Sequence, residues 1–480
     1  MITMIKTALA SAAVLTLAAC AVQPARHLGL PAAVGTLAPA TWRVAATQDT
    51  IDAGPWWSQF GDTTLHRLVQ TVLDGNLDAQ AAQQRIEVAQ AEAAQRHAAL
   101  LPQLDAGALA AHARQITPPP LGYVDSAGIG VTVTWDLDVF GGERLAVLAA
   151  QAQVAGRTWA FHELRLALAA RTATAYIDLR WAQTEQQILA DNAQISRRAL
   201  QLTQDRLRFG LSTRLDVERA QSQLQDVLAR MPVVDTQIQH QLNLIAVLSG
   251  RTPESVDGLV LSDARAVPVP SQHVPQTLPS EALLQRPDVR AAYARVEQRA
   301  AEVGAARAER YPKFRLSLSD GLLAASWVNT PTLTDNLFSA ALNATSPIFN
   351  AGRITAHIDA SESRMRESQL ALEQAMLNAL KEIEDSRSDL VSDAAQVERL
   401  RAARDASKHA VTLSTQLYQG GAANFLDVID AQRIYLRDAQ ALNQAHRTHA
   451  QAAVALYRAL GGAWEVPTET AATPFDGRRD

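Results

Sequence analysis

From Gly128 to Val139 apolar and polar positions alternate strictly. Ile129, Val131, Val133, Trp135, Leu137 and Val139 fall on one face, and Gly130, Thr132, Thr134, Asp136 and Asp138 on the other. A period of two predicts a strand with one apolar and one polar face. Phe314, Leu316 and Leu318 alternate with Lys313, Arg315, Ser317 and Ser319; Phe338, Ala340, Leu342 and Ala344 alternate with Ser339, Asn343 and Thr345. A weaker alternation runs from Leu104 to Ala113. These segments predict two strand pairs, near 103–140 and 313–349. Each pair is joined by a turn-rich loop, Thr117–Gly122 and Asn329–Asn336.

Most of the remaining chain reads as helix. No proline occurs from Leu121 to Met231 or from Ile348 to Val466. Gly156 to Arg208 predicts one helix of about 50 residues, ~75 Å long at 1.5 Å per residue. Arg353 to Leu417 predicts a longer one. Few helices outside coiled coils and membrane spans exceed ~20 residues, and the Ala, Gln and Arg content here favours soluble, close-packed ones. Pro232 predicts an interruption and a kink. The order helix, strand pair, long helix, tip, helix occurs twice. Gly210-Leu-Ser-Thr-Arg-Leu-Asp-Val217 is matched by Gly421-Ala-Ala-Asn-Phe-Leu-Asp-Val428, with Asp216 and Asp427 lying 211 residues apart. Leu248-Ser-Gly250 is likewise matched by Leu460-Gly-Gly462. That period is too long for a solenoid and indicates a duplicated domain.

At the N-terminus Lys6 precedes an apolar run of 11 residues, Thr7–Leu17. A spanning helix needs ~20 residues, so the run reads as the core of a secretory signal. It ends Leu17-Ala18-Ala19-Cys20, which resembles a bacterial lipobox. Such signals are cut before the cysteine, whose thiol is lipidated, palmitate being among the acyl groups. Each buried CH₂ contributes ~0.8 kcal/mol to anchoring. The alternative is an ordinary signal peptide with an incidental cysteine. Cys20 is the only cysteine, so an intrachain disulfide and a Cys-based zinc site are excluded. Ala21 follows where lipoproteins held at the inner membrane carry Asp, which implies outer-membrane sorting. The expected division is a signal peptide at 1–19, a lipid-anchored segment at 20–70 and a first repeat at 71–250. A Pro-rich connector at 251–280, a second repeat at 281–462 and a tail at 463–480 complete it.

The 480 residues carry 44 basic and 49 acidic side chains, a net charge of −5, which argues against a nucleic-acid partner. Hydrophobic residues make up 48% and aromatics only 5%, the mark of Ala-rich helices and not of a bulky globular core. No later window is apolar for ~18 residues, so any membrane crossing must use strands. A single alternating strand also fits a soluble sheet with a buried face. Aromatics near the strand ends (Tyr123, Trp135, Phe140, Tyr311, Phe314, Phe349) suit the interfacial girdle of a barrel. Four strands per chain are fewer than the ~8 of the smallest outer-membrane barrels, so three copies would pool twelve.

Motifs along nearly the whole mature chain resemble the outer-membrane efflux protein family, the TolC-like lipoprotein channels of multidrug efflux systems. They are Trp56-Trp57-Ser-Gln-Phe-Gly-Asp62 with Leu65, Asn76–Gln80, Trp135–Gly141, Leu278–Glu281 with Arg286-Pro-Asp288, and Tyr418–Arg433. The resemblance implies an α+β membrane protein. Long antiparallel helices would form a periplasmic α-barrel, and four strands per chain would contribute to a trimeric twelve-stranded transmembrane β-barrel. It implies a homotrimer in outer-membrane lipid, fed by a periplasmic adaptor and an inner-membrane pump. It also implies a periplasmic gate in which Leu426 forms an apolar constriction and Asp430 and Arg433 hold the helices by polar contacts, joined by Tyr418. Gly210, Leu211 and Ser212 in the first tip, with Gly421, Ala422 and Ala423 in the second, would meet the adaptor. Gly420-Gly421 departs from the single glycine usual in relatives, which would loosen the second tip.

Other chemistry is sparse. His446 and His449 share a helix face, but without a third ligand they read as exposed helix histidines. Gly128-Ile-Gly130 lacks the third glycine of a dinucleotide loop, and His162-Glu163 lacks the second histidine of a zincin. A non-enzymatic exit duct is expected, without cofactor apart from the lipid on Cys20. The alternatives are the exit duct of a protein-secretion system and a lipid-anchored coiled-coil scaffold without a pore.

Overall fold

The computed structural model describes residues 22–43, 55–115, 122–255, 266–268, 278–327 and 332–462. The signal peptide, Cys20, most of the connector, the tail and parts of both strand-joining loops lie outside these. In chain order come α1 (Leu30–Leu37), a short 3₁₀ turn (Trp56–Phe60), α2 (Thr63–Gly75) and α3 (Leu77–Ala98). Strands β1 (Gln103–Gln115) and β2 (Gly122–Leu137) follow, then α4 (Gly142–Arg208) and α5 (Arg214–Leu248). The second repeat holds α6 (Pro279–Gln285), α7 (Pro287–Ala308), β3 (Lys313–Trp327), β4 (Leu333–Thr345), α8 (Arg353–Gln419) and α9 (Phe425–Ala459). The helix expected from Gly156 begins fourteen residues earlier, at Gly142. Helix α5 runs through Pro232 without interruption. Proline removes a single ladder hydrogen bond there, and the site is exposed to water. Strand β4 takes in Leu333–Asn336, which the sequence assigns to a loop.

Two compact units interleave along the chain. The first is Met1–Gly29, Gln84–Thr158 and Ala291–Gln374, and the second is Leu30–Gln83, Trp159–Arg290 and Ala375–Asp480.

The first unit carries the sheet, with strand order β1-β2-β3-β4 and every pair antiparallel. Residues directly opposite in such a ladder share a face. One row therefore reads Asp105–Thr132–Ser319–Ser339, and its neighbour Leu104–Val133–Leu318–Ala340. On the polar face the Ser319 and Ser339 hydroxyls lie 2.8 Å apart. Arg315 donates through Nε and Nη2 to the two carboxylate oxygens of Asp136 at 2.6 and 2.9 Å. The apolar face is bare: Leu104 is 69% and Phe338 70% exposed. Gly130 and Gly321 oppose each other where a Cβ on Gly321 would lie 2.7 Å from the Ile129 carbonyl oxygen, so only glycine permits this approach of β2 and β3. Outer strands β1 and β4 each pair along one side only.

The second unit carries the largest core. Trp56, Trp57 and Phe60 pack with Leu65, Val69 and Val72 of α2 against Tyr176, Ile177 and Leu179 of α4. Asp62 caps α2 through Oδ1, which accepts from Thr64 and Leu65 N–H, while Oδ2 accepts from the Tyr176 hydroxyl at 2.6 Å. Burial, and then the Asp62 carboxylate, pushes the Tyr176 hydroxyl up to about 12. The Arg286-Pro-Asp288 motif forms a clamp. Arg286 is 7% exposed and donates to Asp288 at 2.9 and 2.6 Å, to Glu382 of α8 at 2.9 Å and to the Ala459 carbonyl at the end of α9 at 2.8 Å. No described helix is long and apolar enough to cross a membrane.

Candidate functional site: two helical tips and a two-faced sheet

Both tips in the second unit are built alike. Gly210 and Gly421 take left-handed backbone, with φ of 69° and 78°. Leu211 N–H then donates to the Arg206 carbonyl at 2.8 Å and Ala422 N–H to the Leu417 carbonyl at 2.9 Å, closing the ends of α4 and α8. Each following helix opens with a reciprocal cap. Thr213 Oγ1 accepts from Asp216 N–H and Asp216 Oδ2 from Thr213 N–H; Asn424 and Asp427 repeat the exchange. Gly420 keeps a helical hydrogen bond to the Gln416 carbonyl, so the second glycine leaves this tip as tightly closed as the first.

Tyr418 is 4% exposed, sits between the tips and lines the same cleft as Leu426. Its hydroxyl donates to Ser212 Oγ at 3.2 Å, and its ring lies 5.3 Å from that of Phe425. The Arg206 guanidinium lies 4.7 Å from the ring centroid and donates to the Gln419 carbonyl at 3.0 Å. Arg206 is thus a tip-joining residue that no sequence motif marked. Leu426 is 44% exposed and lines a cleft of about 440 Å³ with Leu211, Ser212, Gly421 and Ala423. Ala422 is exposed at the turn. Asp430 and Arg433 form no ion pair with each other: Arg433 Nε donates to Gln223 Oε1 of α5 at 2.8 Å, and Asp430 is exposed and unpaired among the described residues. Helical spacing places the two on nearly one face, but Arg433 reaches across to the buried side-chain amide of Gln223 instead. His449 is 2% exposed, contrary to the expectation of a surface histidine, because its face of α9 turns into the core. No group of three candidate metal ligands occurs among the described residues.

In the first unit, Phe140 stacks on Tyr311 at 4.7 Å and lies 6.5 Å from Phe314, and Trp135 Nε1 donates to the Leu100 carbonyl at 2.9 Å. This aromatic group marks the end of the sheet nearest the helices. Val22 N–H donates to the Phe140 carbonyl and Ala25 N–H to the Ala300 carbonyl, both at 3.0 Å, so the chain just beyond Cys20 is held at that end. The polar strand face and the ends of α3, α4, α7 and α8 border an open cavity of about 960 Å³.

The family model for outer membrane efflux proteins matches residues 68–251 and 278–462. The chain belongs to the outer membrane efflux protein family. It is 31% identical over 471 residues to the pyoverdine export outer membrane protein OpmQ of Pseudomonas aeruginosa, covering 94% of this chain and 96% of that one. It is 29% identical to the outer membrane protein OprJ of the same organism, covering 94% of each. Among solved structures, the outer-membrane channel OprN superposes with a TM-score of 0.83 at 27% identity, covering 91% of this chain and 98% of that one. VceC of Vibrio cholerae gives 0.77 at 26%, covering 85% and 99%. The protein is therefore an outer-membrane efflux component with the fold of these channels.

Proposed function

We propose that three copies of this protein join β4 of one chain to β1 of the next and close a twelve-stranded barrel, continued on the periplasmic side by their long helices. The carrying observation is a four-stranded sheet with an exposed apolar face and two open edges, in a protein of the outer membrane. An open edge in lipid leaves backbone groups unpaired at several kcal/mol each, so closure with further copies is favoured. The duct is passive and performs no catalytic step. An inner-membrane pump supplies the energy, and a periplasmic adaptor docks on the tips at Gly210–Ser212 and Gly421–Ala423. A lipid on Cys20 anchors each chain, in keeping with the attachment of Val22 beside the aromatic end of the sheet. The cargo is small and soluble, as the export of pyoverdine by the OpmQ relative suggests. Leu426, Asp430 and Arg433 form the closing zone, with Arg433 acting through Gln223 and Tyr418 holding the tips together. The test is single-channel recording in planar bilayers. The wild type forms a low-conductance pore, and replacing Asp430 and Arg433 together with Ala raises its conductance. A wild-type preparation that never conducts overturns the duct, and unchanged conductance in the double variant removes the pair from the gate.

A further inference from the structure

The 960 Å³ cavity of the first unit is lined by five carboxylates and four Arg or Lys side chains, so its sign depends on which of them are neutralised by ion pairs with neighbours on or just outside the wall. Most of its carboxylates are already engaged. Asp136 holds Arg315, Asp138 holds Arg144 at 3.1 Å, and Glu309 lies 3.8 Å from Arg353. Glu302 lies 2.6 Å from Arg299. Three cations from three different elements have no ion pair among the described residues: Arg96 near the end of α3, Lys313 at the start of β3 and Arg364 on α8. Only Glu143 opposes them as an unpaired carboxylate. Asp136, Arg315 and Asn343 occupy one cross-strand row on the polar face of β2, β3 and β4, and all three line the cavity. The space is thus continuous with the face that, on the duct reading above, becomes the lumen.

We propose that this chamber is an anion-favouring vestibule on the export path, in which Arg96, Lys313 and Arg364 attract carboxylate- or phosphate-bearing solutes as they pass from the helices to the strands. The inference rests on the duct reading. Its wall is not closed, so binding is weak and fast, as suits a passage through which cargo must also leave. One cation ~7 Å from a passing ion in water changes its local concentration about threefold, and more inside a narrow low-dielectric wall.

The experiment uses the full-length mature protein in planar bilayers under a KCl gradient, with citrate as the anionic probe. Wild type, R96Q/K313Q/R364Q, K313Q alone and E143Q are compared, each first shown to assemble like the wild type. The triple variant is expected to lower the chloride-to-potassium permeability ratio at least about threefold and to weaken citrate block. K313Q shifts the ratio the same way by less, and E143Q shifts it the opposite way. Equal permeability ratios and citrate block in wild type, K313Q and E143Q overturn the vestibule while leaving the duct intact. A wild type that forms no channel overturns the duct itself, and the vestibule with it.

Discussion

Replacing Arg286 with Met keeps the length and apolar stem of the side chain and removes its four hydrogen bonds. The Ala459 carbonyl then loses its partner at the end of α9, in a part of the core where water has little access, a loss of about 1–2 kcal/mol. The bidentate contact to Asp288 is charge-assisted and contributes about 1.5–3 kcal/mol when buried. The Asp288 side chain retains 28% of its exposure and that of Glu382 46%, so water recovers much of both, most of all for Glu382. The net expectation is a loss of about 3 kcal/mol, with Asp288 coupled more strongly than Glu382. Guanidinium unfolding in detergent, followed by helical circular dichroism, reads the loss. A double-mutant cycle with Asp288→Asn and Glu382→Gln apportions it. A loss below about 1 kcal/mol, or stronger coupling to Glu382 than to Asp288, refutes the clamp.

Two further outcomes follow from buried or misplaced charge. Burial holds the His449 imidazole below its ordinary 6.5, and His446 is lowered by burial and by Arg401 and Arg404. The unfolded chain therefore binds these protons more readily, and the stability they contribute above pH 6.5 is lost as pH falls through the lowered native values. His449→Leu should flatten this acid loss below about pH 6.5, and a slope unchanged from wild type contradicts the assignment. Asp320 shares the exposed apolar side of the sheet with Val131 and Phe338, the side that meets lipid on the duct reading. Cationic residues at the middle of such a face cost ~2–4 kcal/mol and Asp less, so Asp320→Leu should stabilise by about 1 kcal/mol. A higher dissociation temperature of the trimer on electrophoresis would register the gain; a lower one would place Asp320 elsewhere than against lipid.

The strands were legible where period-two alternation was strong, as in Gly128–Val139. Strand β1 was weak because its Ala and Gly positions contrast little with polar neighbours, yet the ladder to β2 extends it to Gln115. Gly156 looked like a helix start but lies inside α4, where a Cβ would make only an ordinary contact, 3.7 Å from that of Ala294; nothing in the packing there breaks the helix. Pro232 was legible as a missing donor but not as a tolerated one, since tolerance depends on solvent exposure. At the tips, the glycines and caps could be read from local spacing. The positions of Tyr418, Arg206 and Gln223 could not, because each depends on a partner about 210 residues away. His449 was misjudged for the same reason: two histidines on one turn say nothing of which neighbouring helix covers them.

One chain holds too few strands to seal itself against lipid. Native mass spectrometry of the mature protein, released from detergent micelles, tests it directly. Particles of three chains, with no stable single-chain species in detergent-free buffer, are the predicted result. A monomer that stays dispersed in water without detergent would contradict it.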